Sequence, residues 1–237
     1  MTQLVLAGNG GIGQAFIDAL LAQQPNQPIY ATYRQERATR RQHPMLTWYR
    51  TDLSQEAEVM ALAQQLPPLT LIVNCAGFLH TPAQMPEKTI AQFDSHFFQQ
   101  NLQANTLPSL WLAKHLGSHL KASQQPCHFV ILSAKIGSIE DNHLGGWISY
   151  RCSKAALNMA LKTIAIEWRY RIPHCCVVAF HPGTVDTPLS QPFQPQSTAP
   201  PRQTPAAVSQ QLLALITRLN AADSGGFYDY QGQRLPW

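Results

Sequence analysis

Leu4-Val5-Leu6-Ala7-Gly8-Asn9-Gly10-Gly11-Ile12-Gly13 is the stretch that decides the fold. A short apolar run stops at a cluster of glycines, and Ile12, Phe16, Leu20 and Leu21 then recur near one helical face. The pattern reads as strand, tight turn, helix. Glycines in such a turn accept positive φ and let the backbone approach a pyrophosphate. The free N–H groups of the helix N-terminus then face the negative charge. Any tight turn uses glycine, so an ordinary structural turn is the competing reading. The position of the cluster, directly between the first strand and an amphipathic helix, favours a dinucleotide cradle built from Gly8, Asn9, Gly11, Ile12 and Gly13.

The alternation continues outward from this turn. Apolar runs at Ile29–Tyr33, Leu46–Tyr49, Leu69–Asn74, Phe129–Ser133 and Cys175–Phe180 read as further strands. Helical patterns lie between them: one ends at Leu66 before Pro67-Pro68, a long one covers 89–122 with a kink expected at Pro108, and an unbroken one runs from Tyr150 to Tyr170. A last helix is expected near 206–220, followed by a short tail containing Gly225-Gly226. Strands alternating with helices predict an α/β protein, a doubly wound parallel sheet with helices on both faces. No internal repeat, charge block or linker divides the chain, so residues 1–237 are read as one domain.

Composition narrows the function classes. Hydrophobic residues make up 45% of the 237 and charged residues 13%, with a net charge of +4. That rules out wholesale disorder and is too weak and scattered a basic signal for nucleic acid. No run approaches the ~20 apolar residues of a membrane span, and no secretory signal is visible at Met1-Thr2-Gln3. The five cysteines fit no zinc spacing and are read as reduced, mostly buried thiols of a cytoplasmic protein. His115 and His119 are four apart on a helix but lack a third ligand, so no metal site is assigned.

The end of the second strand bears on the cofactor. An acidic residue there would bind the ribose 2′-hydroxyl of NAD. The chain has Tyr33-Arg34, then Arg37, Arg40 and Arg41. An anion such as a 2′-phosphate suits such a site, which favours NADP(H); the alternative is a solvated basic segment. Tyr150 and Lys154 share a face of the longest helix. A nearby ammonium lowers a phenol's pKa, which makes Tyr150 a candidate proton donor and acceptor for a carbonyl or alcohol. The spacing alone is weak evidence, because such pairs also serve helix stability.

In this order of motifs the sequence resembles the short-chain dehydrogenase/reductase family over nearly its whole length, with a narrower resemblance to the C-factor and sniffer-type carbonyl reductase branch through Gly137-Ser138-Ile139 and Gly145-Gly146-Trp147. The resemblance implies a Rossmann-like domain and an NADP(H)-dependent oxidoreductase acting on a carbonyl or alcohol. Asn74-Cys75-Ala76-Gly77 looks like the motif that supports the central sheet, and Asp52-Leu53 like the pair that touches the adenine. Asn101 matches the helix asparagine that holds a relay water, and Tyr150 with Lys154 the catalytic Tyr-x-x-x-Lys. Pro182-Gly183-Thr184-Val185-Asp186-Thr187 matches the motif flanking the nicotinamide, with Pro182, Gly183, Val185 and Thr187 as contacts. The family also implies a homodimer or homotetramer through the helices at 89–122 and 150–170.

Two departures stand out. The family's first turn glycine falls on Ala7, with Gly8 able to serve if the turn is one residue shorter. The family's catalytic serine falls on Ala134, which has no hydroxyl. Ser133 is preferred over Ser138 as its replacement, provided the strand end twists or bulges. His143, Trp147, Ile148 and Phe193 are candidates for an apolar substrate side, and the Pro/Gln-rich segment 188–205 for a substrate lid. His181 is given no role. The competing class is a non-catalytic NADP-binding module for signalling or redox sensing, which Ala134 favours and the set Asn101, Tyr150 and Lys154 disfavours.

Overall fold

The apolar runs are strands and the periodic stretches helices in the computed structural model, which describes residues 2–35, 41–193 and 202–237. In chain order they are β1 (Gln3–Leu6), α1 (Gly11–Gln23), β2 (Ile29–Tyr33), β3 (Leu46–Arg50), α2 (Glu56–Ala63), β4 (Leu71–Asn74), α3 (Ser95–Asn105), α4 (Leu107–Ala122), β5 (Cys127–Leu132), α5 (Ile148–Arg171), β6 (Cys175–His181), α6 (Pro205–Arg218) and β7 (Gly226–Asp229). The strands form one sheet in the order β3-β2-β1-β4-β5-β6-β7, every pair parallel. The chain starts mid-sheet at β1, steps outward to β3, and returns to the other side of β1 at β4. That reversal opens a crevice at the carboxyl ends of β1 and β4, where ligands bind in such sheets.

Each face of the sheet carries its own apolar layer. Phe16, Ile17 and Leu20 of α1 and Val208 and Leu212 of α6 pack on one face. Leu112, Leu116 and Leu120 of α4 and Leu157 and Leu161 of α5 pack on the other. Residues Leu71 to Asn74 of β4 are all buried, which explains the near-continuous hydrophobicity of that run. Alternation along β6 sends Cys175 into one layer and Cys176 into the other. Each fully buried Leu, Ile or Phe contributes about 1.5–3 kcal/mol. Asp94 caps α3 by accepting from the Phe97 N–H at 2.6 Å, and Thr204 caps α6 through the Ala207 N–H. Such caps contribute about 1 kcal/mol each.

Two expectations are refined. The stretch 89–122 is not one kinked helix: a 3-10 turn at Ile90–Gln92 precedes α3, and Thr106 separates α3 from α4. Pro108 has no N–H for the carbonyl four residues back, and its ring crowds that carbonyl. The tail after Gly225 holds an edge strand, β7, which the sequence reading missed. It is four residues long and begins on a glycine, so pairing with β6 rather than local preference makes it a strand.

Candidate active site

A cavity of about 1070 Å³ runs along the carboxyl ends of the strands. It exceeds the roughly 300–1,000 Å³ of sites for single drug-sized molecules. At one end lies the β1–α1 turn. Ala7 takes a left-handed φ of 54°, so it occupies the turn position at which the family places its first glycine, and Gly8 does not replace it. The Ala7 N–H donates to Thr32 Oγ1 at 3.0 Å and the Gly8 N–H to the Thr32 carbonyl at 2.8 Å, which fastens the turn to β2.

The glycines are there for close approach. A Cβ on Gly13 would stand 2.4 Å from the Ala7 carbonyl oxygen, and one on Gly8 2.8 Å from Ile17 Cδ1. A Cβ on Gly11 would stand 2.8 Å from Thr187 Cγ2, so the turn also touches the segment after β6. Bare backbone, a helix N-terminus and a long crevice fit a dinucleotide.

The sequence-named residues distribute along this cavity. Asn9, Gly11, Ile12 and Gly13 line its turn end, with Arg34 past the end of β2 and Asp52 and Leu53 past β3. The Asp52 carboxylate accepts from the Ser54 N–H and hydroxyl, closing a turn before α2. Arg41 instead pairs with Asp18 at 3.4 Å, and Arg37 and Arg40 lie outside the described residues. Ala76 and Gly77 line the middle. Asn74 lies in the sheet: its Oδ1 accepts from the Ala76 N–H and its Nδ2 donates to Ser109. Pro182, Gly183, Val185 and Thr187 line the far wall. Of the expected lid, 188–193 and 202–205 are described; Arg202 there bonds the carbonyls of Ser190 and Phe193 and lies 3.6 Å from Asp186.

Tyr150 and Lys154 open onto the cavity from the first turns of α5, exposed by only 8% and 2%. Lys154 Nζ donates to the Leu132 carbonyl at 3.1 Å and lies 5.9 Å from the centre of the Tyr150 ring. Burial pushes Lys154 down to about 8 and pushes the Tyr150 phenol up. Desolvation therefore outweighs the lowering that the sequence reading expected from the ammonium. Tyr150 keeps its proton at neutral pH, as a proton donor must.

The start of α5 is anchored by a residue no motif pointed to. Glu87, 3% exposed, accepts from the Ser149 N–H and hydroxyl, and its carbonyl accepts from the Trp147 N–H. Gly145, Gly146 and Trp147 are all left-handed, with φ of 64°, 67° and 53°. This bend presents Trp147 to the cavity, 4.8 Å from Phe193 and 6.4 Å from Tyr150, ring centre to ring centre. His143 and Ile148 do not line it.

Asn101 is fully buried and does not line the cavity; its Nδ2 donates to the Phe97 carbonyl at 3.0 Å. Asn105, which the sequence reading passed over, bonds both the N–H and the carbonyl of Phe78 and the Ser153 hydroxyl. Ala134 lines the cavity without a hydroxyl, and Ser133 lines it beside Ala134. The Ser133 hydroxyl donates to Asn158 Oδ1 at 2.6 Å, and that of Ser138 to the Trp237 carbonyl at 3.2 Å. His115 pairs with Glu56, and His119 bonds the Ala63 carbonyl. The cysteines are all free; Cys127, Cys175 and Cys176 are buried, and Cys152 is exposed. Among the described residues no helix is long and apolar enough to cross a membrane.

Comparison with known proteins agrees with this arrangement. The carbonyl reductase Sniffer of D. melanogaster has a TM-score of 0.86 at 26% identity, covering 100% of this chain and 99% of that one. An NADPH-bound carbonyl reductase from chicken fatty liver has a TM-score of 0.85 at 27% identity, over 100% and 94%. C-signal of Myxococcus xanthus is 39% identical over 107 residues, 45% of this chain and 58% of that protein. The chain spans just over half the length of the curated relatives it matches at this level. The short chain dehydrogenase family profile matches residues 2–198. With that match over most of its length, and with its parallel sheet, glycine turn and Tyr150–Lys154 pair, the chain belongs to the short-chain dehydrogenase/reductase family.

Proposed function

We propose that this protein is an NADP(H)-dependent carbonyl reductase, or the alcohol dehydrogenase that runs the same reaction backwards. The observation that carries the reading is the buried Tyr150–Lys154 pair, facing a cavity continuous with the glycine turn. When bound, the dihydronicotinamide supplies hydride to a carbonyl carbon. Tyr150 protonates the oxygen as negative charge develops there. Lys154 holds the nicotinamide ribose, and Asn101 belongs to the path that returns a proton from solvent. Ser133 stands nearest the position of the missing serine. Asn9, Gly11, Ile12 and Gly13 hold the pyrophosphate, with Gly8 buried behind them and tied to Thr32 rather than facing the cavity; Asp52 and Leu53 hold the adenine, and Pro182, Gly183, Val185 and Thr187 the nicotinamide. Ala76 and Gly77 line the same groove, above the sheet contact of Asn74. Arg34, exposed at the cavity mouth, supports NADP(H) over NAD(H).

Trp147 and Phe193 make the substrate side aromatic and favour an apolar carbonyl compound. The free thiols support a cytoplasmic location. Exposed Met159, Ile166 and Tyr170 on α5 support a homodimer or homotetramer. Titration with NADPH and NADH, read by nicotinamide fluorescence, tests the cofactor: NADPH is expected to bind at least tenfold tighter, and equal affinities would remove Arg34 from the argument. Tyr150→Phe tests the chemistry. It is expected to lose reductase activity by at least 100-fold at unchanged NADPH affinity, and full activity would remove Tyr150 as the acid. Ala134, with the resemblance to C-signal, favours one second reading, a non-catalytic NADP-binding signalling module. NADPH binding without turnover of any aldehyde or ketone in a broad panel would select it.

A further inference from the structure

A carbonyl oxygen that gains negative charge can accept two hydrogen bonds, and Tyr150 supplies one. The side-chain donors nearest the strand end already have partners. Ser133 donates to Asn158, Ser138 to the Trp237 carbonyl, and Lys135 Nζ sits 3.2 Å from Asp141. Ala134 has nothing to offer.

His181 is different. It is the last residue of β6 and lines the cavity. The Ser133 N–H donates to the carbonyl of its neighbour Phe180, so the ends of β5 and β6 lie side by side. Cys175, Val177 and Ala179 of β6 pack in the layer that also contains Leu157 and Leu161 of α5. Alternation puts His181 on that same face, the one that carries Tyr150. The charged groups that act on it are Asp229, Lys135 and Asp141, of which Asp229 and Lys135 also line the cavity. Its Nδ1 is buried with no hydrogen-bond partner among the described residues. A buried N–H without an acceptor costs about 1–3 kcal/mol. An unpaired acceptor there is better tolerated than an unpaired donor, so the tautomer that leaves Nδ1 as a lone pair is favoured and carries the proton on Nε2. Burial also pushes His181 down to about 4, so the ring is a neutral donor at physiological pH.

We propose that His181 is the second hydrogen-bond donor to the substrate's carbonyl oxygen, its Nε2–H taking the place of the hydroxyl that Ala134 lacks. The proposal rests on the carbonyl-reductase reading. As hydride adds to the carbonyl carbon, the π pair moves to oxygen and takes its proton from Tyr150, while His181 keeps its own proton and only polarises the bond.

The test combines turnover with a spectroscopic readout. The probe is 4-nitrobenzaldehyde, and the variants are His181→Phe, His181→Gln and the double variant His181→Phe/Ala134→Ser. Removing one such donor typically costs about 10²–10³-fold in kcat. His181→Phe is expected to lose about 100-fold in kcat at unchanged NADPH affinity by fluorescence titration. Ala134→Ser in that background is expected to restore at least tenfold, and His181→Gln to keep more activity than His181→Phe. The infrared carbonyl stretch of ¹³C-labelled aldehyde, bound with oxidised cofactor, should shift down in the wild type and lose part of that shift in His181→Phe. Unchanged kcat and an unmoved stretch in His181→Phe overturn the proposal, as does a loss of activity matched by a loss of NADPH binding. The carbonyl-reductase reading fails separately, through full activity of Tyr150→Phe, and the infrared arm reports on His181 without requiring turnover.

Discussion

Ala7 and Trp147 both hold a left-handed backbone while carrying a side chain, and they sit at opposite ends of one cavity. The Ala7 end of the cavity is built of backbone: N–H groups, a helix terminus and the absence of side chains. The Trp147 end is built of side chains, among them Tyr150, Lys154 and Phe193, with the buried Glu87 behind them. Strain at Ala7 places only a methyl, whereas strain at Trp147 places a large ring against Phe193 and Tyr150. The two ends should therefore answer substitution in different ways.

Gly13→Val should have the largest effect. The new Cβ falls 2.4 Å from the Ala7 carbonyl oxygen and 2.9 Å from Gly8 Cα, both backbone, so the turn itself must move. Overpacking of this kind costs about 1–3 kcal/mol or more. The expected outcome is a loss of that size in urea unfolding together with loss of NADPH binding. A variant that keeps both would mean that the turn is looser than its packing.

Trp147→Gly comes next and acts in the opposite sense to backbone strain. Glycine relieves the left-handed φ, yet removes a ring whose contacts are worth about 0.5–1.5 kcal/mol per aromatic pair beyond its buried area. KM for an aromatic aldehyde should rise about tenfold while NADPH affinity stays within twofold. A change in NADPH affinity alone would place Trp147 on the cofactor side.

These two ends were not equally legible. The turn was readable because a missing side chain is itself a letter in the sequence: Gly8, Gly11 and Gly13 are where a Cβ would collide. Even the departure at Ala7 could be placed by register alone. Parallel order followed from the alternation of apolar runs with helical periods, except for β7, whose pairing with β6 supplies what its four residues lack. The substrate end was readable only as Tyr150 and Lys154. Glu87 meets Ser149 across 62 positions and Asn105 meets Ser153 across 48, and neither pair leaves a spacing signal. Hydroxyl direction was invisible too, so Ser133 and Ser138 could be named but not aimed.

A smaller effect follows from the burial of Lys154. Its pKa is lowered to about 8, so the ammonium is charged below that pH and neutral above it. The quantity kcat/KM for NADPH reports the free enzyme, and it should fall as pH rises through about 8. Tyr150, raised by burial, adds no limb in that range, and His181, lowered to about 4, adds none between pH 5 and 7. Lys154→Arg, which stays charged, should remove the limb near 8 whatever it does to the plateau. A limb that persists in that variant belongs to another group.

Ala7→Gly should have the smallest effect, and its sign is the informative part. A left-handed residue with a Cβ costs about 1–2 kcal/mol, which glycine removes. Glycine also enlarges the conformational freedom of the unfolded chain, which returns about 0.4–1 kcal/mol. The net change should lie between about zero and a gain of about 1.6 kcal/mol, measured by urea unfolding. NADPH affinity should rise or stay level, because the N–H groups at Ala7 and Gly8 keep their bonds to Thr32. A loss of stability would show that the Ala7 methyl contributes packing that outweighs its strain, and the two left-handed residues would then work by one rule.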